Sequence, residues 1–274
     1  NILLNYIFIV LWDWSSMGAG LSQAISQYIA LFLGLVMISR EVSLHEISTL
    51  TAKVFNFSAL KAPFILNRNL SIRSVVIVAI FILFKVFSSI LGTTVLAENI
   101  LLLEVVSLSM YMCDGVEYAT TTLIANIQAQ GTTYKFFPLL QTGLVVNLMI
   151  NLVVGLAIIF FPNSIFGIFT NHSKLIESTK VYIPYVLTIL VGSGFTYILD
   201  GYFAGLGEGI AIRNTYLVSG LLGLVSLCLS TFYFHSNYFL WLALFIFMLA
   251  CTVTLSIQIP MTLQSNEKNE IFVN

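Results

Sequence analysis

An all-α, polytopic membrane helix bundle is the fold class this sequence predicts, and three observations predict it. Hydrophobic residues make up 58% of the 274-residue chain and charged residues only 8%, against roughly 25% charged in ordinary soluble domains. Mean hydropathy is +0.98. Apolar stretches of about 20 residues, the length a helix needs to cross a bilayer, recur at 17–38, 72–91, 99–130, 137–161, 182–206, 212–234 and 238–260, giving seven full spans. The formal net charge of −1 provides no basic excess to attract nucleic acid. Cys113, Cys228 and Cys251 all fall in apolar runs. An odd, widely spaced trio fits small buried apolar residues better than a disulfide framework or a metal motif.

Residues 1–12, NILLNYIFIVLW, amount to half a span before a turn at Asp13, and they begin without a methionine. The expectation is therefore the C-terminal part of a longer protein. The stretch 39–73 is the longest polar connection. It carries Arg40, Lys53, Lys61, Arg68 and Arg73, and the segments on the same side add Lys135, Arg213 and Lys268, whereas the opposite loops hold only Lys174 and Lys180. Because cytoplasmic loops are enriched in Lys and Arg, this connection and the tail 261–274 are expected in the cytoplasm. The second half of the connection, FSALKAPFILNRNLSIR, mixes bulky apolar with basic residues and suits either a segment lying along the membrane surface or a disordered loop. Pro162, Pro184 and Pro260 sit near span ends, where a missing backbone donor costs least.

The stretch 96–131 sets three acids, Glu104, Asp114 and Glu117, in a run apolar enough for a bilayer. Each would cost at least ~2.5 kcal/mol there unless it faces protein or water. Spans 72–91 and 99–130 are joined by a short turn around residues 92–98, so they form an antiparallel hairpin, and counting outward from Thr94 and Val95 brings Lys85 to the depth of Glu104. An ion pair between them is expected, the alternative being that both face a water-filled cavity. Asp114 and Glu117, three apart, project from one helical face. Two carboxylates so placed are what a proton-coupled carrier requires; in the plainer alternative Asp114 bonds a neighbouring helix and Glu117 reaches the interface. Asp200 stands in YILDGYFAGLGEG, where Gly201, Gly205, Gly207 and Gly209 permit close helix approach or local unwinding that would turn carbonyls toward a ligand. Asn147 and Asn151, with Gln141 nearby, form a polar stripe that fits helix-to-helix bonding better than solute binding.

Catalysis has little support. His45, His172 and His235 fall in loops or at span ends, and no Cys or carboxylate is spaced with them as a zinc ligand. GxSxG, HExxH and GxxxxGK[ST] patterns are missing from the sequence. Asp114 and Asp200 as an intramembrane aspartyl pair lack a flanking motif.

The start, NILLNYIFIVLWDWSSMGAGLSQAISQYIALFLGL, resembles the fifth-to-sixth helix region of MATE (multidrug and toxic compound extrusion) transporters. NRNLSIRS, LGTTVLAENILL and YMCDGVEYA resemble the N-R-D-I-x-I-R, L-A-A-N and D-G-F-x-Y-A blocks of the DinF-like branch of that family. FFPNSIFGIFTNH and LDGYFAGLGEG resemble the loop and tenth helix of its C-terminal lobe. The resemblance implies a six-helix C-terminal lobe preceded by the end of an N-terminal lobe, with a solute cleft between two lobes that opens alternately to each side. Its implied boundaries are 1–38 for the end of the N-terminal lobe, 39–73 for an interlobe linker, 74–260 for the C-terminal lobe and 261–274 for the tail. The branch usually has alanine where Glu98 and Glu117 stand, glutamine at Glu104 and glutamate at Thr121. Thr121 is one turn from Glu117, so a carboxylate has shifted along the same face.

The implied activity is secondary export of amphipathic, often cationic, organic solutes in exchange for H⁺ or Na⁺, without a cofactor, by a multi-pass protein of the plasma (inner) membrane. Asp114 and Glu117 are the expected coupling residues, Asp114 being the one that matches the branch. Asp200, Asn147 and Tyr197 are expected to line the cleft, and Lys85 with Glu104 to form a structural pair. The expected partners are the bilayer, the solute and the missing N-terminal lobe. A lipid-linked saccharide flippase would call for a more basic cavity than Lys85 alone supplies, and a lone lobe could also serve as a non-transporting scaffold.

Overall fold

The computed structural model describes residues 1–41 and 57–273, so residues 42–56 of the expected linker and the last residue of the expected tail lie outside the described residues. Among the described residues there is no strand, and seven helices are long and apolar enough to cross a membrane. The chain is a multi-pass helical membrane protein, as composition predicts. The helices are α1 (Ser15–Glu41), α2 (Phe57–Leu91), α3 (Thr93–Ala129), α4 (Phe136–Phe160), α5 (Ile183–Gly205), α6 (Gly209–Phe232) and α7 (Asn237–Val273). Two short helices, Pro162–Gly167 and Ser173–Thr179, fill the connection between α4 and α5.

Several boundaries differ from expectation, for local reasons. Nothing in FSALKAPFILNRNLSIR except Pro63 opposes a helix, and Pro63 falls in the second turn of α2. The stretch is therefore helical and continuous with the span behind it, and Arg73 lies inside the membrane-crossing segment Pro63–Leu91. At 35 residues, α2 is about 52 Å long at 1.5 Å per residue, well beyond the roughly 30 Å hydrocarbon core. The turn expected over residues 92–98 contracts to Gly92, whose φ of 139° suits a residue without a side chain, and α3 begins at once. At the other end, α7 continues as helix through most of 261–274.

The chain divides into two compact units, Asn1–Pro63 and Phe64–Asn274. In the first, a helical turn (Ile2–Asn5) and a π-helix (Tyr6–Leu11) precede a turn in which Asp13 and Ser15 take positive φ. Phe8, Trp12 and Trp14 cluster there, with ring centroids 5.0–5.5 Å apart, and Ser22 Oγ donates to Asn5 Oδ1. In the second unit α5 packs against α3, α4, α6 and α7, α3 also packs against α4, and α6 pairs with α7. The core between them holds Phe84, Leu102, Ile189, Tyr202, Trp241 and Phe247. Phe84 meets Trp241 edge-on at 5.1 Å, joining α2 to α7.

Candidate functional site

In the second unit, α2, α3, α5 and α6 each contribute one polar side chain to a single cluster. Arg73 on α2 grips Glu117 on α3 through two parallel bonds, Nη1 to Oε1 at 2.7 Å and Nη2 to Oε2 at 2.9 Å. This bidentate fork is the strong form of a carboxylate–guanidinium contact. Nη2 also lies 3.1 Å from Oδ2 of Asp200 on α5. Tyr216 on α6 donates its hydroxyl to that same oxygen, and its ring lies 5.5 Å from the guanidinium carbon, within cation–π range. The Asp200 side chain is 0% exposed, that of Glu117 6% and that of Arg73 14%.

The backbone explains how these groups meet. A Cβ on Gly201 would fall 2.8 Å from the carbonyl oxygen of Glu117, and one on Gly205 would fall 2.7 Å from that of Thr121. Only glycine lets α5 lie this close to α3, and it brings Asp200 beside Glu117. The close-approach reading of the YILDGYFAGLGEG glycines therefore holds at Gly201 and Gly205, where α5 is unbroken from Ile183 to Gly205, whereas the chain leaves the helix at residues 206–208, with Gly207 at φ 76°.

Charge is left unbalanced in the cluster. One guanidinium faces two carboxylates, and among the buried polar atoms without a hydrogen-bond partner are Asp200 Oδ1 and Arg73 Nε. Burying unpaired charge in a low-dielectric interior is costly, so the arrangement is suited to taking up a positive species.

The remaining sequence candidates are spread around this centre. Asp114 is half-buried and within electrostatic reach of Arg73, with no ion pair among the described residues. Glu117 is thus committed to Arg73 rather than forming a simple pair with Asp114. Tyr197 is partly buried and within reach of Asp114, Arg73, Glu117 and Asp200. Asn147 is fully buried between α4 and α5, donating from Nδ2 to the Gly194 carbonyl at 3.3 Å. Asn151 Oδ1 accepts from Ser109 Oγ at 2.6 Å, tying α4 to α3. These amides join helices, as the sequence stripe indicates.

The expected Lys85–Glu104 pair is corrected. Both residues are exposed, and the ion pairs among the described residues are Arg73–Glu117, Arg73–Asp200 and Lys180–Glu177. Similar depth does not imply the same azimuth. The buried edge of α2 runs through Ile80, Phe84, Phe87 and Ser88, and Glu104 sits among neighbours on α3 that face inward while it faces out.

The hairpin is held instead by a neutral knot. Asn99 Nδ2 donates to Ser88 Oγ and to Asn237 Oδ1, both at 2.7 Å, and its Oδ1 accepts from Trp241 Nε1 at 2.9 Å and Asn237 Nδ2 at 3.1 Å. Sequence reasoning missed Arg73, Tyr216 and Asn99 as site or scaffold residues. Extending the second span upstream through FILNRNLSI would have placed Arg73 in the membrane; Tyr216 and Asn99 carried no comparable signal.

A family model described as MatE matches residues 70–229, more than half of the chain and all four contributors to the cluster. The chain belongs to the MatE family. Within it, DNA damage-inducible protein F of Escherichia coli (strain K12) is 25% identical over 251 residues, covering 90% of this chain and 54% of the relative. A Thermotoga maritima relative, the probable multidrug resistance protein NorM, is 29% identical over 79 residues, 29% of this chain and 17% of its own. The chain thus spans about half the length of the first of these MatE relatives, and its resemblance is to the DinF-like branch.

Proposed function

We propose that this MatE chain is part of a secondary active exporter that exchanges H⁺ or Na⁺ for an organic, amphipathic or cationic solute. It would act in the plasma (inner) membrane with its C-terminus in the cytoplasm and a second lobe completing the cleft. The observation that carries this reading is the buried Arg73–Glu117–Asp200–Tyr216 cluster. It joins four membrane-crossing helices and keeps one negative charge in excess. Ionisable residues buried at membrane depth are expensive and mark ion or substrate pathways, and a carrier needs a site whose charge changes as its helices rearrange. Glu117 and Asp200 take the coupling role, Asp114 and Tyr197 sit at its margin, and Asn147 acts in helix packing. The names of the relatives, one a multidrug resistance protein, support organic solutes as cargo.

Efflux of a fluorescent organic cation from cells expressing the gene tests the proposal. Expression is expected to raise efflux, a protonophore or a Na⁺ ionophore to abolish the increase, and Glu117→Gln or Asp200→Asn to abolish it at unchanged abundance. Ion-gradient-independent efflux, or full efflux by both variants, would remove the cluster from the coupling role.

A further inference from the structure

The cluster already contains a cation, and that cation belongs to the protein. We propose that Arg73 acts as a tethered counter-ion that reserves the Glu117–Asp200 site for a proton, held at Asp200 Oδ1, and bars alkali cations from it. This inference rests on reading the cluster as the coupling site and names the ion that the site takes.

Oxygen counting carries the argument. Of the four carboxylate oxygens, both of Glu117 receive Arg73 N–H groups, and Asp200 Oδ2 receives Tyr216 and lies 3.1 Å from Arg73 Nη2. Only Asp200 Oδ1 is buried and without a partner. A hard cation needs a shell of several oxygens, and carriers supply the rest of that shell from the carbonyls of broken helices. Here α3 and α5 run unbroken past Glu117 and Asp200, so their carbonyls are committed to the helix. Tyr216 has turned its hydroxyl proton toward Asp200, and the guanidinium fills the place between the two acids where a metal ion would bridge them. One oxygen is too few for Na⁺ and enough for a proton.

Charge counting agrees, since one guanidinium and two carboxylates sum to −1 and a single proton brings the cluster to zero. The titratable or charged groups that sense it are Arg73 from α2, Asp114 and Glu117 from α3, Tyr197 from α5, Tyr216 from α6 and Cys251 from α7. α4 has no ionisable side chain in its sequence. Arg73 is the single basic side chain in this set. Deleting its charge should leave two carboxylates sharing an empty position with oxygen on both sides, which is a place for Na⁺.

The test uses the purified chain in detergent micelles, with NaCl replaced by choline chloride at constant ionic strength. The wild type is expected to show no Na⁺-specific shift in Tm, and infrared spectra at neutral pH should show a protonated-carboxyl C=O band that Asp200→Asn removes and Glu117→Gln weakens, because without the Glu117 charge the Arg73–Asp200 pair is already neutral. Arg73→Gln is expected to gain a saturable, Na⁺-specific upward shift in Tm that Arg73→Gln/Asp200→Asn lacks, while Arg73→Lys stays insensitive to Na⁺. A Na⁺-specific shift in the wild type, or an infrared spectrum from which Asp200→Asn removes no such band, overturns the proposal, and neither reading depends on the Arg73 variants folding. A folded Arg73→Gln that gains no Na⁺ response also overturns it. If the ion selectivity is as stated but no efflux is found, the exporter reading fails and this one stands.

Discussion

Two polar clusters tie the helices of the second unit together, and they are built on opposite plans. At Asn99 a neutral amide uses all four of its bonding positions on Ser88, Asn237 and Trp241, the full capacity of an amide side chain. At Arg73 three charges meet with one negative in excess and with Asp200 Oδ1 and Arg73 Nε unmatched. Both are buried and both bridge helices distant in sequence. A saturated neutral knot has nothing left to exchange and acts as a fastener, whereas an unsaturated charged one can change its protonation and so bias how its helices sit. Burial alone does not distinguish structure from function; the remaining charge and the unmatched atoms do.

The largest effect that would break this contrast is expected at Arg73. Arg73→Leu leaves two buried carboxylates facing each other and should destabilise by about 3–5 kcal/mol, measured as loss of Tm in micelles. Adding Glu117→Gln and Asp200→Asn should recover most of that loss, because the penalty lies in the stranded charge. If the triple variant is no more stable than Arg73→Leu, the guanidinium matters through packing instead. Next comes Asn99→Leu, which strands the Trp241 N–H and the Asn237 amide at roughly 1–3 kcal/mol for each unmatched group, with no dependence on salt or pH. Gly201→Ala pushes a methyl against the Glu117 carbonyl at 2.8 Å and should cost about 1–3 kcal/mol, while lowering transport by more than its stability loss explains. The smallest effect belongs to the exposed pair, where Lys85→Ala and Glu104→Gln should each stay within about 0.5 kcal/mol and show no coupling to one another.

The contrast also explains how much could be read from the chain. Seven spans and the family resemblance were legible because both rest on local patterns: apolar runs of fixed length and blocks such as LGTTVLAENILL and LDGYFAGLGEG. Glu117 and Asp200 stood out because a carboxylate in an apolar run is costly wherever it points. Their partner did not. Arg73 sits at the start of the second apolar run, and basic residues at span ends are ordinary, so local pattern groups it with the linker. Lys85 and Glu104 failed for a different reason. Depth along a helix can be counted from a turn, but azimuth depends on which neighbours each face packs against, and that is settled by tertiary contacts such as Phe84 on Trp241. The Asn99 knot joins residues 138 and 142 positions apart, a pairing that no local spacing encodes.

Gradient-driven efflux per molecule, compared between Asp200→Asn and Asn99→Ala in membrane vesicles with abundance measured in the same samples, tests the division of labour most directly. Asp200→Asn is expected at normal abundance with efflux lost, and Asn99→Ala at reduced abundance with efflux per molecule retained. Retained gradient-driven efflux in Asp200→Asn, together with its loss per molecule in Asn99→Ala, would contradict the account.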